Sequence, residues 1–519
     1  MKRHWLACFA LPLLVATTPA QTNRDDLTPL EIRYTTRISE DLGTVHITLD
    51  VANLSRPFTH LAMPNWTPGA YGIGRYGNRV QELTARSGNR DLETTKMDFQ
   101  TWSVATDGVS QLQVTYSVDA PRGRGRRGRR GAPPAEPQGP VTGFQVSGPN
   151  TYLYIPDAKS VPVEARYSVP SGWRVANGLL QSDDPMVRTA RDYDTFIDAP
   201  TIYGIYREHT FEVNGTPFSC VYFDSTQQYD FDVEAYTDVV RRIVTYIGEL
   251  FGSYPFPDYV FLFSLPRGGG GLEHLNSTAI GLNSERLKND VNSGGSISAH
   301  EFFHTWNVKR IRPKVLGPFE YEHENYTGNL WVSEGWTSYY GDLTLVRTGI
   351  VDQPAFLGMF ERYIRTEMNK EGRKDHSVFW ASRNAWHRDA GVRPRVDYYA
   401  KGEILGAMID LRIRQETDNK KSLDDVMRFM NRWFAEKDVG FEEGDVERAC
   451  TAISNYDFSE FFARHVYGTL DPPMQESFSF AGIEYTESMD GNQMVPSLRF
   501  LDDITDKQRR IREGWLTGK

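Results

Sequence analysis

The chain has 519 residues and a formal net charge of −10, with 39% hydrophobic and 13% aromatic residues. That length implies about two to four domains with an ample core, and the acidic balance excludes a general nucleic-acid binder. Beyond the N-terminal leader only Cys220 and Cys450 remain, neither in a Cys/His cluster, so a cysteine zinc site is excluded and a disulfide between them is left open.

Residues 1–20 read as a signal peptide. Met1-Lys2-Arg3-His4 is basic, Trp5 to Ala16 is apolar, and Thr18-Pro19-Ala20 offers a small-residue cleavage site. The apolar run is too short to span a bilayer, and no other stretch could. A periplasmic or secreted protein is expected.

Residues 27–206 carry the period-two alternation of half-buried strands. Examples are Glu31 to Thr36, Val45 to Val51, Leu112 to Val118 and Ala165 to Val169. Turn residues separate them, and an antiparallel β-sandwich domain is expected. Within it, residues 121–140 hold six arginines between Arg122 and Arg130, followed by Ala and Pro. Without apolar or aromatic residues this stretch reads as a disordered, solvated insertion, not as a base-stacking platform.

The pattern changes over residues 207–470. Phe218 to Phe223 and Tyr259 to Phe263 read as buried strands flanking a helix near Asp232 to Leu250. Gly268-Gly269-Gly270-Gly271 reads as a turn. Helices are expected at Leu330 to Arg347, Gln353 to Met368, Lys401 to Glu416, Ser422 to Ala435 and Phe458 to Val466. Residues 471–519 are a short C-terminal extension with weak strand signals and a charged helical end. The fold class is multidomain α+β: a β-sandwich, then an α/β plus helical lobe with the layout of a thermolysin-like peptidase.

The chemistry is carried by His300-Glu301-Phe302-Phe303-His304, an H-E-x-x-H sequence. On a helix, residues four apart share one face, so both imidazoles aim at one point. A zinc ion there would leave Glu301 within reach of a bound water. The helix is expected to run on toward Lys309, Arg310 and Arg312, whose charges suit a C-terminal end, and to stop before Pro313. A catalytic zinc needs a third protein ligand. Glu324 lies in a polar, Gly/Pro-flanked stretch. Glu334 lies in the aromatic-rich run Leu330 to Tyr340, where a buried carboxylate needs a partner such as a metal, and Glu334 is preferred.

The run His300 to Pro313 resembles the signature of the glycyl aminopeptidase family, the sixty-first family of metallopeptidases, in the gluzincin clan. Leu330-Trp331 through Glu334-Gly335 to Tyr339-Tyr340 resembles its second block. Trp66-Thr67-Pro68-Gly69-Ala70-Tyr71 is similar to the Trp-x-Pro-Gly-Ser-Tyr turn of its N-terminal β-domain, and Asp457 to Gly468 also matches. The likeness spans roughly residues 27–468. It implies one Zn2+ per chain on His300, His304 and Glu334, with Glu301 as base. Members commonly carry a PDZ domain after the helical lobe; about fifty residues follow Gly468 here, and a complete one is not expected among them.

Two further stretches resemble related zinc aminopeptidases. Gly268 to Glu273 is similar to their Gly-x-Met-Glu-Asn strand. That likeness implies that Glu273 binds a free α-amino group, while Gly269, Gly270 and Gly271 let a peptide backbone lie alongside. Tyr399-Ala400-Lys401-Gly402 is similar to their Tyr-x-Lys-Gly, implying that Tyr399 donates to the developing oxyanion. The reading is an aminopeptidase acting on peptides with a free N-terminus, releasing small residues (Gly or Ala) by family resemblance alone. The alternatives are a zinc endopeptidase, in which Glu273 is incidental, and a non-catalytic binding protein on a protease fold. Oligomeric state is left open.

Overall fold

A computed structural model describes residues 29–121, 141–388 and 396–518. The leader and, apart from Pro121, the arginine-rich insertion lie outside the described residues.

Strands Glu31–Ile38 and Thr44–Ala52 bury every second residue, placing Tyr34, Val45, Ile47, Leu49 and Val51 in a core. They sit at the middle of an eight-stranded sheet. Two three-stranded sheets complete the N-terminal region. Pairing is antiparallel except between Glu31–Ile38 and Val163–Ser168, which run parallel. More than a hundred residues separate these two strands, ample for the crossover that parallel neighbours require.

Strand Thr201–Gly204 belongs to one of the small sheets, and Arg207–Val213 opens a five-stranded sheet. Its central strands, Thr216–Asp224, Tyr259–Leu265 and Ser277–Asn283, pair in parallel. Helix Val233–Phe251 starts at Asp232, whose side chain accepts the Ala235 N–H. The four glycines are not a turn. They lie in strand Arg267–Glu273 at the sheet edge, with a bulge where Gly268, Gly269 and Gly270 take φ of +73°, +153° and +87°.

The expected helices of the second lobe are found, Leu330 to Arg347 being split by a π-helical first turn. Ser422 and Asp425 form a capping box. Val378–Arg383 and Asp445–Ser454 are additional helices. Cys220 and Cys450 are free and buried.

Residues 471–518 are built into this lobe. Hairpin Ile483–Asp490/Gln493–Phe500 precedes helix Asp506–Thr517, where Trp515 is fully buried against Phe356 and donates to Tyr339 Oη at 2.7 Å. No helix of the described residues is long and apolar enough to cross a membrane.

Candidate active site and metal centre

The motif helix is shorter than its flanking charges suggest. It spans Gly295–Phe303, with His304 as its C-cap. Arg310 is not a helix-end cation. It donates to the carbonyls of Thr305, Leu275 and Pro255, folding the segment after His304 back against the sheet. The two imidazoles still share a face, with their Nε2 atoms 3.0 Å apart.

Glu334 reaches the same point from the π-helix Trp331–Trp336, a local widening often found at functional sites. Its Oε2 is 3.3 Å from His304 Nε2 and 3.6 Å from His300 Nε2. Glu324 is exposed and takes no part. The outer ring nitrogens are also engaged. His304 Nδ1 is 2.7 Å from the Asn307 carbonyl and must donate to it, so the neutral ring, the form that binds a metal, turns its Nε2 lone pair to the centre. Asn307 Nδ2 in turn donates to the Val332 carbonyl at 2.9 Å and to Thr337 Oγ1 at 3.0 Å, tying this loop to the π-helix. His300 Nδ1 is 3.3 Å from Ser338 Oγ. The sequence signals do not single out Asn307, Thr337 or Ser338. Ser338 could have been found four residues after Glu334, and Asn307 three after His304.

Charge shows what the site accepts. The donor atoms of His300, His304 and Glu334 lie within 4.8 Å of one another, as do those of Glu273, Glu301 and His304. Burial works to raise Glu334, but His304 and His300 outweigh it and hold its carboxyl at about 2. Burial would lower His304, but Glu334 and Glu273 push it up to about 10. Burial raises Glu301 well above the carboxylate range, with Glu273 and Glu334 adding to it. Glu301 Oε2 is buried without a hydrogen-bond partner. Three buried carboxylates around two imidazoles are a surplus of negative charge that a divalent cation would offset. The residues therefore fit a metal ion with N2O ligands, the donor set of catalytic zinc.

Tyr399 lies in the first turn of helix Tyr398–Glu416, where Asp397 caps its N–H. Its ring stacks on His300 at 6.2 Å between centroids. Although 37% of the residue is exposed, burial of the phenol, then the Glu334 charge, raises it well above its ordinary value. Tyr398 faces the core, 3% exposed. The helix comes this close because two glycines meet: a Cβ on Gly402 would stand 2.3 Å from the Trp331 carbonyl oxygen, and one on Gly335 2.4 Å from Gly402 Cα.

Strand Arg267–Glu273 supplies the opposite wall. A Cβ on Gly271 would stand 2.3 Å from the Glu301 carboxyl, so glycine is needed for Glu301 to lie there. Gly269 and Gly270 are open, with nothing within 4 Å of a Cβ, on an edge that, among the described residues, pairs only with Ser277–Asn283. Glu273 is 6% exposed. Its carboxyl is raised, by burial first and Glu334 next.

Replacing Asn307 with alanine should weaken metal affinity about 10–100-fold, the usual cost of losing an outer partner. Competition with a chromogenic chelator measures it, and unchanged affinity would show that the Asn307 loop does not orient His304.

Residues 294–405 match the family described as M61 glycyl aminopeptidase, and residues 35–205 match the peptidase M61 N-terminal domain. No curated protein sequence matches the chain. Among solved structures it is similar to an aminopeptidase N family protein from Idiomarina loihiensis, with a TM-score of 0.80 and 26% identity over 88% of this chain and 79% of that one. It also shares its fold with yeast LTA4 hydrolase, solved with bestatin, at a TM-score of 0.51 and 12% identity over 88% of this chain and 71% of that one.

Proposed function

The chain belongs to the M61 glycyl aminopeptidase family, and on that premise we propose that this peptidase is an exported, zinc-dependent aminopeptidase acting on peptides with a free N-terminus. The observation that carries the reading is the buried, unpartnered Glu301 Oε2 beside the His300–His304–Glu334 group. Those three residues would hold one zinc ion. Bound there, zinc lowers the pKa of a water to about 7 and polarises a carbonyl.

This chain's own groups supply the rest. Glu301 accepts the proton of the attacking water, and its raised affinity for protons suits it to return that proton to the leaving amine. Tyr399 keeps its phenolic proton and donates a hydrogen bond to the oxyanion, a contact typically worth about 2.7–4 kcal/mol. Glu273 pairs with the substrate ammonium, and the open edge at Gly269 and Gly270 receives the peptide backbone. Release of glycine or alanine follows the family likeness. Export rests on residues 1–20.

The test combines metal analysis with digestion of a Gly- or Ala-initiated peptide and its N-acetylated twin. One zinc per chain is expected, with the free peptide cut at least tens of times faster. That ratio follows because an unpaired buried carboxylate costs about 2–5 kcal/mol. Equal rates would favour an endopeptidase, and no cleavage by zinc-loaded protein would favour a binding protein.

A further inference from the structure

The N-terminal region reaches the site through the turn Thr67 to Ala70. The Ala70 N–H donates to the Thr67 carbonyl at 3.0 Å, with Pro68 and then Gly69, at φ +85°, on the corner. This is the arrangement of a type II turn, in which the third position favours glycine. Trp66 anchors the turn: its Nε1 donates to the Glu320 carbonyl at 3.0 Å, and its ring meets Trp386 edge-on at 4.9 Å. The Asn65 N–H donates to the Tyr321 carbonyl at 2.9 Å. Past the turn, the Tyr71 ring meets Trp386 edge-on at 5.7 Å, so the turn is fixed to the catalytic lobe on both sides.

Its tip rests on Glu273. A Cβ on Gly69 would stand 2.8 and 3.0 Å from the two Glu273 carboxylate oxygens and 2.6 Å from Leu272 Cδ1. The same carboxylate lies within 4.8 Å of the ligand atoms of Glu301 and His304. Gly69 and Glu273 also line a cavity of about 960 Å³ between the two regions, with Lys309 and Arg310 on its wall. A space of that size is at the upper end of ligand clefts and could take several residues of peptide.

We propose that the contact between Gly69 and Glu273 is the partition between the metal centre and this cavity. It makes Gly69 a specificity-determining residue that limits the chain before the scissile bond to one residue. Any group added at Gly69 must displace the Glu273 carboxylate or Leu272 Cδ1, so no gap for a peptide backbone is left between turn and carboxylate. The ammonium must therefore end on Glu273, at one fixed distance from the bond that is cut. The proposal rests on the aminopeptidase reading and deepens it.

The wild-type test uses tetrapeptides that begin with alanine, β-alanine or γ-aminobutyrate, which move the ammonium outward by one methylene at a time. Each step should lower kcat/KM at least about tenfold, because the charged pair is lost without a replacement. A flat series would overturn the partition. The acetylated twin of the alanine peptide judges the underlying reading separately: if it is cut as fast as the free peptide, the aminopeptidase reading itself fails. In Gly69→Ala the displaced carboxylate should raise KM for the free peptide at least about tenfold, with kcat within about threefold and the acetylated twin unaffected. Gly69→Asn tests the same displacement with a residue that tolerates positive φ, which separates it from backbone strain. Gly72→Ala, where a Cβ would meet only the Ala70 carbonyl at 3.4 Å, should behave as wild type. Equal losses on both peptides in the Gly69 variants would reduce the turn to a structural brace and overturn the proposal. Should neither variant fold, the wild-type series decides.

Discussion

Glu301→Gln should retain its zinc and lose about 10²–10⁴-fold in kcat, the contribution typical of a positioned general base. At 10³-fold this is about 4.1 kcal/mol of transition-state stabilisation. Glutamine keeps the side-chain volume that Gly271 leaves room for, so the loss cannot come from a collapsed pocket. The three proposed ligands are untouched, and metal content should stay at one per chain. Stability should move the other way. Glu301 is buried among Glu273 and Glu334, and its charge is disfavoured there, so a neutral isostere gives up no favourable charge interaction. Thermal melting of the metal-free protein is expected unchanged or higher. A variant with near-wild-type kcat would remove Glu301 from the role of base, and one that lost its metal would place Glu301 among the ligands.

The parts of this site that were legible in the sequence are those set by local geometry. His300 and His304 converge because a helix turns once in 3.6 residues, and that holds although the helix stops at Phe303. The helix end is not legible in the same way. Lys309, Arg310, Arg312 and Pro313 look like a helix terminus, but Arg310 finds three carbonyls outside the helix, and tertiary bonding overrode the local signal. The glycines at 268–271 punctuate a sequence, yet here they allow a bulged strand edge and the close approach of Glu301. Gly69 was legible only as a turn residue. Its contact with Glu273 joins positions about two hundred residues apart, and no periodicity encodes that. The same holds for Asp198, which receives Lys309 at 2.9 Å and lies 3.0 Å from His274 Nδ1 across the same junction.

Glu334 carries a weaker sequence signal, a carboxylate among aromatics, and its substitution is the sharper test of the metal centre. Glu334→Ala should lower zinc affinity by more than the about 10–100-fold that an outer partner costs, because it leaves two protein ligands where a catalytic site uses three. Activity should fall with metal content and return in part at high zinc. A second effect must be separated from this. In the metal-free protein Glu334 is the nearest counter-charge to His304, and removing one partner of a buried pair typically costs about 3–5 kcal/mol. Glu334→Gln keeps the volume and one acceptor oxygen, so its melting temperature should lie between those of wild type and Glu334→Ala. Glu324→Ala changes an exposed carboxylate, and its zinc content and kcat/KM should stay within about twofold of wild type. If Glu324→Ala lost the metal and Glu334→Ala kept it, the third ligand would be Glu324, and the π-helical turn at Trp331–Trp336 would have to open for the site to form.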